Sequence, residues 1–414
     1  MKLLWGIILM ACVCLGFFIL SRKNHEVKAT PVIKKEPARI IIDKNISAYN
    51  DPNPFVEDAL NEFEGFIKTA IVNGQAPGAA VAIVRDTSII FLKGYGLRDT
   101  KKPDSVNTRT VFRLGSVSKS VTATLVAALV NEGVLQWDDL VIKYLPDFKL
   151  KSEEATQQLT IRHLLSHTMG LPYHAYTSMV EDYAPFDTLK DHLKDLDLVG
   201  KPGELYSYQN VGFSLIGSVI ERATGKKLEE VFIEKLFLPL GMNDASASFK
   251  KIMMSNNVAI PHYFTNPMMI SSAYYSVVPA GGINASIQDM ALWLKALMGT
   301  QRKILPEKNI EEIFEPQVKA IVRNHYFRQW KKVRKSYYGL GWRVITFNND
   351  TIEYHGGYVN NYRCEVAINL KKKIAIAMLV NSPGMLADQG VPRFFKIYDQ
   401  YLDSINRWRP KPVL

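Results

Sequence analysis

Apolar side chains recur at helical spacing between residues 55 and 72 (Phe55, Val56, Ala59, Leu60, Phe63, Phe66, Ile67, Ala70, Ile71) and stop at Asn73-Gly74, which predicts an amphipathic helix. Residues 79–84 and 88–93 are short β-prone runs joined by Arg85-Asp86-Thr87, the pattern of a hairpin. The far end of the chain mirrors this: residues 363–370 and 373–380 flank a turn at Lys371 and Lys372, and helical spacing follows from Phe394 to Ile405. Between the two ends, residues 116–131, 160–167, 211–223, 228–236 and 287–298 all read as helices. Terminal helices and hairpins so far apart in sequence predict that both ends build one sheet. The expected fold class is therefore α+β, an antiparallel sheet of N- and C-terminal strands flanked by helices, with an inserted all-helical lobe. Residues 55–112 and 336–409 would form the α/β lobe and residues 113–335 the mainly helical one. A cleft between them is the natural place for a site.

Ahead of this body, residues 3–20 form an uncharged, mostly apolar run closed by Arg22 and Lys23. At about 1.5 Å per residue the run reaches roughly 27 Å, against a bilayer core of about 30 Å. It fits an uncleaved signal anchor or the apolar region of a cleaved signal peptide. Leu9-Met10-Ala11-Cys12 loosely resembles a lipoprotein cleavage box, although cutting there would leave Leu15 to Leu20 as an apolar tail. All three readings export the body, and the anchor reading leads. Residues 21–54, with Lys34, Lys35, Pro37, Pro52 and Pro54, read as a polar tether.

Composition and charge narrow the function classes. With 47% apolar, 11% aromatic and 22% charged residues in 414, the chain is no disordered tail, collagen-like fibre or disulfide-framed miniprotein. A net charge of +11 raises the question of nucleic acid, but the charge is local. Residues 1–49 hold eight Lys/Arg against three Asp/Glu, and residues 316–349 hold eight against none, so the rest of the body is close to neutral. No nucleic-acid partner is expected. The stretch from Arg323 to Lys335, interleaved with Tyr326, Phe327 and Trp330, reads as a solvated basic loop, with anionic lipid or cell-wall polymer as the other reading. Cys12 and Cys14 lie in the apolar run and leave Cys364 alone, so an intramolecular disulfide in the body is excluded.

Three short motifs could carry chemistry. In Ser116-Val117-Ser118-Lys119 the serine and lysine are three apart and share a helix face, while first-turn N–H groups favour negative charge there. That suits an activated nucleophile, although a helix cap with a solvated lysine would look the same, and Ser248 to Lys251 repeats the spacing without obvious meaning. Tyr208-Gln209-Asn210 follows a turn at Pro202-Gly203. A tyrosine beside an ammonium is favoured as phenolate and could move a proton, and an asparagine could hold a substrate amide; a core tyrosine with a turn asparagine is the plainer reading. In His355-Gly356-Gly357 the glycines would let a substrate backbone lie along a strand, and the histidine could present positive charge. His163 and His167 are four apart, as in a helical zinc pair, but no Glu follows His163, and packing is the better reading. Ser286 with Asp289 reads as a helix cap.

The order and spacing of these motifs resemble the class C branch of the serine β-lactamase and penicillin-binding protein superfamily. Phe112-Arg113-Leu114-Gly115, Leu164 to Thr168 with Gly170-Leu171-Pro172, Pro279-Ala280-Gly281-Gly282 and Gly339-Leu340-Gly341-Trp342 look like segments of the same family, over roughly residues 55–406. The resemblance implies that Ser116 is the acylated nucleophile, that Lys119 and Tyr208 transfer protons, and that Asn210 contacts a substrate amide. It further implies an oxyanion hole from the N–H groups of Ser116 and Tyr358, with Gly357 lining the strand. His174 falls where the family often has a polar pocket residue, and Asn381 near a position that contacts substrate carboxylate in some members. His355 replaces the Lys of true class C β-lactamases, as in D,D-carboxypeptidases, D-aminopeptidases and esterases of the family. A partly protonated His355 is then expected to attract a substrate carboxylate in a pH-dependent way.

The expectation is a serine hydrolase of the bacterial cell envelope, its catalytic domain periplasmic or extracytoplasmic and anchored in the inner membrane through the N-terminal segment. It would act on D-amino-acid peptides of peptidoglycan type, with small esters or β-lactams as further substrates, and need no metal and no cofactor. The alternative is a catalytically silent, penicillin-binding-like scaffold of the envelope.

Overall fold

Asn53 starts the first helix of the described structure, α1 (Pro54–Val72): its side chain accepts from the Phe55 N–H, and Pro54 occupies a position where no N–H is needed. The structure, a computed structural model, describes residues 51–321, 327, 329–330 and 333–409. The apolar run 1–20, the tether up to residue 50 and part of the basic stretch 323–335 lie outside the described residues. Asp51 pairs with Arg85 at 2.5 Å, so the segment expected to be tether up to residue 54 already belongs to the folded body by residue 51.

Eight strands form the main sheet: β1 (Gly78–Arg85), β2 (Ser88–Gly96), β3 (Val318–Lys319), β4 (Lys335–Tyr338), β5 (Arg343–Phe347), β6 (Asp350–Val359), β7 (Tyr362–Asn369) and β8 (Ile374–Val380). Their spatial order is β2-β1-β8-β7-β6-β5-β4-β3. Strand β1 pairs antiparallel with both β2 and β8, Ala82 opposite Leu92 on one side and Ala377 on the other, so the two ends of the chain meet inside one sheet as the hairpin patterns predict. Alternate side chains of β1 divide between the faces. Ala79, Val81 and Ile83 pack with α1 and the C-terminal helix, while Ala80, Ala82 and Val84 pack with the inserted helices. Because both faces are covered, β8 and the part of β1 from Gly78 to Val84 carry no polar side chain.

Tertiary packing changes three local expectations. The C-terminal helix, which we number α5, spans Met385–Arg407 and begins well before Phe394. Its Gly390 and Pro392 break the helical pattern locally, yet Gly390 lies so close to β8 that a Cβ there would meet the Met378 sulfur at 2.2 Å. The inserted lobe is mainly helical but holds two short ladders, Val111–Arg113 with Asn284–Ser286 and His262–Tyr263 with Asn266–Pro267, and it lends β3 to the sheet edge. Phe327 and Trp330 of the basic stretch are buried against Tyr354, Phe347 and Phe395, so these aromatics are core and not a surface for lipid. Among the described residues, no helix is long and apolar enough to cross a membrane.

Three helices of the insert position the site. Helix α2 (Ser118–Asn131) is buried at every position from Ser118 to Leu129, as expected of a helix surrounded by core. Helix α3 (Asn210–Thr224) and α2 both contact the short helix Val278–Gly281, and α4 (Ile287–Lys295) sits against β1 and β8. The turn Gly115–Val117 before α2 is 3₁₀, so Ser116 lies in a tight turn at the mouth of α2 and not within its first α-helical turn.

Candidate active site

The turn carrying Ser116 is pressed against β6 by glycines. Gly115 has φ of 54°, and a Cβ there would meet the Tyr358 nitrogen at 2.8 Å. A Cβ on Gly357 would meet the Leu114 carbonyl oxygen at 2.0 Å and the Ser116 nitrogen at 3.1 Å. Only bare backbone on both sides allows this approach, and it brings the Ser116 and Tyr358 amides into neighbouring positions. Ser116 is half-buried, and the Tyr358 ring is exposed with its hydroxyl donating to Asn361 at 2.7 Å.

Lys119, the second residue of α2, is fully buried. Its Nζ lies 2.8 Å from Asn210 Oδ1, 2.9 Å from the Ala280 carbonyl and 3.4 Å from Ser116 Oγ. It also sits over the Tyr208 ring at 4.6 Å and the Phe213 ring at 5.6 Å. Burial pushes the amine well below the ordinary lysine range, and the charge of Arg343 adds to the push. Asn210, the first residue of α3, spends its carbonyl oxygen on Lys119 and places its Nδ2 3.4 Å from Thr177 Oγ1. Asn210 thus links the lysine to Thr177.

Tyr208 is buried between two histidines. The His167 ring lies 4.3 Å from its ring and the His174 ring stacks on it at 5.2 Å. His174 has φ of 56° and donates its backbone N–H to the Tyr208 carbonyl at 2.9 Å, which places it beside Tyr208. His167 is fully buried, and its Nδ1 accepts the Gln209 N–H at 3.1 Å. That bond fixes the backbone on which Tyr208 sits and leaves the ring proton on Nε2. Burial first, and then the neighbouring basic groups Lys119, His355, Arg343 and His174, hold His167 well below its usual range. Among the described residues no cluster could hold a metal ion.

Two expected substrate contacts take other roles. His355 is fully buried; its Nδ1 lies 3.0 Å from the Gly356 carbonyl, which can only accept, so Nε2 is the acceptor for the Tyr338 hydroxyl at 3.0 Å. Burial, reinforced by Arg343 and Lys119, holds the ring neutral. The expectation of a partly charged His355 reaching for a carboxylate is therefore corrected: both nitrogens are engaged inside the protein. Asn381 is likewise buried. Its Oδ1 accepts the Gly78 N–H at 2.8 Å, and its Nδ2 donates to the Leu97 and Arg98 carbonyls at 3.1 and 3.2 Å. That amide ties the β1–β2 hairpin to the end of β8, with its oxygen and its Nδ2 engaged inside the protein and its side chain away from the surface.

Sequence reasoning missed Arg343. It is buried on β5, with its Cζ 5.6 Å from the Tyr208 ring and 5.7 Å from the Tyr338 ring. Nothing local marks it, since it follows Trp342 as one more cation in a basic stretch. His167 was visible within Leu164 to Thr168 but read only as packing.

Turn, helix and sheet together give a penicillin-binding-protein-like fold with its polar cluster at the junction of the sheet and the helical insert. The family model described as Beta-lactamase matches residues 43–394, and the chain belongs to that family. It is 26% identical over 359 residues to the unguisins hydrolase ungD' of Aspergillus campestris (strain IBT 28561), covering 83% of this chain and 65% of that one. It is 25% identical over 341 residues to protein flp of Staphylococcus aureus (strain NCTC 8325 / PS 47), covering 78% and 63%. The matched region thus spans slightly less than two thirds of each relative. A solved structure, the octameric penicillin-binding protein homologue from Pyrococcus abyssi, superposes with a TM-score of 0.71 at 25% identity over 83% of this chain and 77% of that one.

Proposed function

We propose that this protein is a serine hydrolase that forms an acyl-enzyme at Ser116 and cleaves amide or ester bonds. The observation that carries this reading is the surroundings of Lys119. An uncharged amine has two N–H groups and one lone pair. Asn210 Oδ1 and the Ala280 carbonyl take the two N–H groups, which leaves the lone pair for the Ser116 hydroxyl. As Oγ bonds to the substrate carbonyl carbon, its proton passes to Lys119 Nζ. The charge that develops on the carbonyl oxygen is met by the N–H groups of Ser116 and Tyr358. The proton then moves through Tyr208 to the leaving amine or alkoxide as the C–N or C–O bond breaks. Water reverses the course: it gives a proton to the same pair, its oxygen bonds to the acyl carbon, and Ser116 departs with its proton restored.

The substrate class we assign is a D-amino-acid peptide of peptidoglycan type, with small esters and β-lactams open to the same course. Support comes from the motif resemblance, from a relative named as a hydrolase and from the penicillin-binding protein homologue that shares the fold. In this reading residues 1–20 carry the body to the cell envelope. Mass spectrometry after a fluorophosphonate should find one adduct, on Ser116, absent from Ser116→Ala. Wild type should also release product from a D-alanyl-D-alanine peptide or a p-nitrophenyl ester. An adduct on Ser248, or equal turnover in Ser116→Ala, would overturn the assignment.

A further inference from the structure

With His355 neutral and held between Tyr338 and Gly356, the β6 motif contributes no charge to the site. The neighbouring strand does. Arg343 on β5 places its guanidinium within 6 Å of two rings, at 5.6 Å from Tyr208 and 5.7 Å from Tyr338, and Tyr338 is the residue that pins His355. An arginine keeps its proton under all conditions in which the protein is folded, and its planar group lies well against aromatic faces. We propose that Arg343 is the fixed cation of this site, a positioning residue that takes over from β5 the charge absent from the β6 motif and sets the direction of proton transfer through Lys119 and Tyr208. The proposal rests on the serine-hydrolase reading above.

The titratable groups that face Arg343 come from each element packed there: Lys119 of α2, Tyr208 ahead of α3, His167 after the short helix Ile161–Leu165, His355 of β6 and Tyr338 of β4. Tyr208 has two basic side chains beside one ring, with Lys119 Nζ at 4.6 Å. Two buried like charges so close are costly, and the group that binds its proton less tightly gives way. Between lysine and arginine that group is lysine. Lys119, His167 and His355 are all pushed down, by burial first, with Arg343 contributing in each case. Arg343 therefore keeps the lysine amine available as a base while remaining charged itself.

The test compares wild type, Arg343→Lys and Arg343→Gln, each shown to be folded by circular dichroism. The pH dependence of kcat/KM for a p-nitrophenyl ester is followed alongside nuclear magnetic resonance of labelled histidine rings, with His355→Gln used to assign His355. In Arg343→Gln the acid limb should move to higher pH, so that the ratio of kcat/KM at about pH 9 to that at about pH 6 rises roughly tenfold. The His355 ring should also titrate at higher pH. Arg343→Lys, whose amine holds its proton less tightly than a guanidinium, should fall between wild type and Arg343→Gln. A uniform loss of rate at every pH with unchanged histidine titration in Arg343→Gln would overturn the proposal. The two readings separate cleanly, because a protein whose Ser116 is never acylated but whose His355 still responds to Arg343→Gln refutes the hydrolase reading and retains the fixed cation.

Discussion

Lys119 and Lys372 are both withdrawn from water, and their surroundings push them in opposite directions. Lys372, behind the sheet at the β7–β8 turn, has a side chain only 12% exposed; its Nζ lies 2.6 Å from Asp350 Oδ2 and also pairs with Asp399. Burial there works against the charge, but the two carboxylates outweigh it and raise the pKa above its ordinary value. Glu64 between Lys68 and Lys93, and Arg363 between Glu365 and Asp388, follow the same rule on that side. In front of the sheet, among the described residues, no carboxylate pairs with Lys119; its neighbours are an amide, a carbonyl, a serine, two aromatic rings and the Arg343 charge. Behind the sheet charges are matched for stability. In front the fold holds an amine in a setting that disfavours its proton, and such an arrangement makes physical sense where a base is needed.

The sharpest way to break this contrast is to remove each lysine in turn. Lys119→Met should lower kcat/KM roughly 1,000-fold, about 4 kcal/mol, the scale of a positioned proton acceptor. Lys372→Met should leave kcat/KM within about twofold yet cost about 2 kcal/mol of stability in urea unfolding, because Asp350 and Asp399 lose their partner. Similar losses of activity in the two variants would mean that the two lysines do not differ in kind.

A smaller effect is expected at His355. His355→Lys should cost about 3 kcal/mol of stability, since it places an ammonium in a closed pocket already influenced by Arg343 and Lys119. Urea unfolding would measure that loss, and substrates with and without a carboxylate would check selectivity. A stable His355→Lys protein with a new preference for carboxylate substrates would show that the position opens to solvent during turnover.

The smallest effect is a slope. The folded-state pKa of Lys119 lies below its ordinary value of 10.5, so between the two the unfolded chain holds a proton that the folded protein lacks, and stability rises as pH climbs toward 10.5. Lys372 has the opposite sign: its raised pKa adds stability that is complete below 10.5 and fades as pH rises above it. Between about pH 8 and 10, Tm should therefore climb more in wild type than in Lys119→Met. Parallel curves at fixed ionic strength would indicate a charged lysine in the fold.

The elements built from short-range signals were legible in the sequence. The spacing of Phe55 to Ile71, the β-prone pairs at both ends and the Ser116 to Lys119 interval each depend on residues within one or two turns of each other. The resemblance carried by Ser116-Val117-Ser118-Lys119, Tyr208-Gln209-Asn210 and His355-Gly356-Gly357 extended that reach to the family and its fold. Element edges were less legible: Gly390 and Pro392 look like helix breakers, yet both lie inside α5, where Gly390 lets the helix approach Met378 of β8.

What the sequence by itself determined, then, is which residue types stand at which spacing: helix faces, hairpins, the serine with a lysine three positions on, and glycines where two backbones must touch. Tertiary structure alone decided their states. His355 became neutral and internal, Asn381 became a tie between strands, and Arg343 and His167 joined Tyr208 from segments far away in the chain. The physical reason is that secondary structure follows local sterics and periodicity, whereas a proton's free energy depends on the water removed and the charges brought near. Both are properties of how distant segments pack, and no window of sequence contains them.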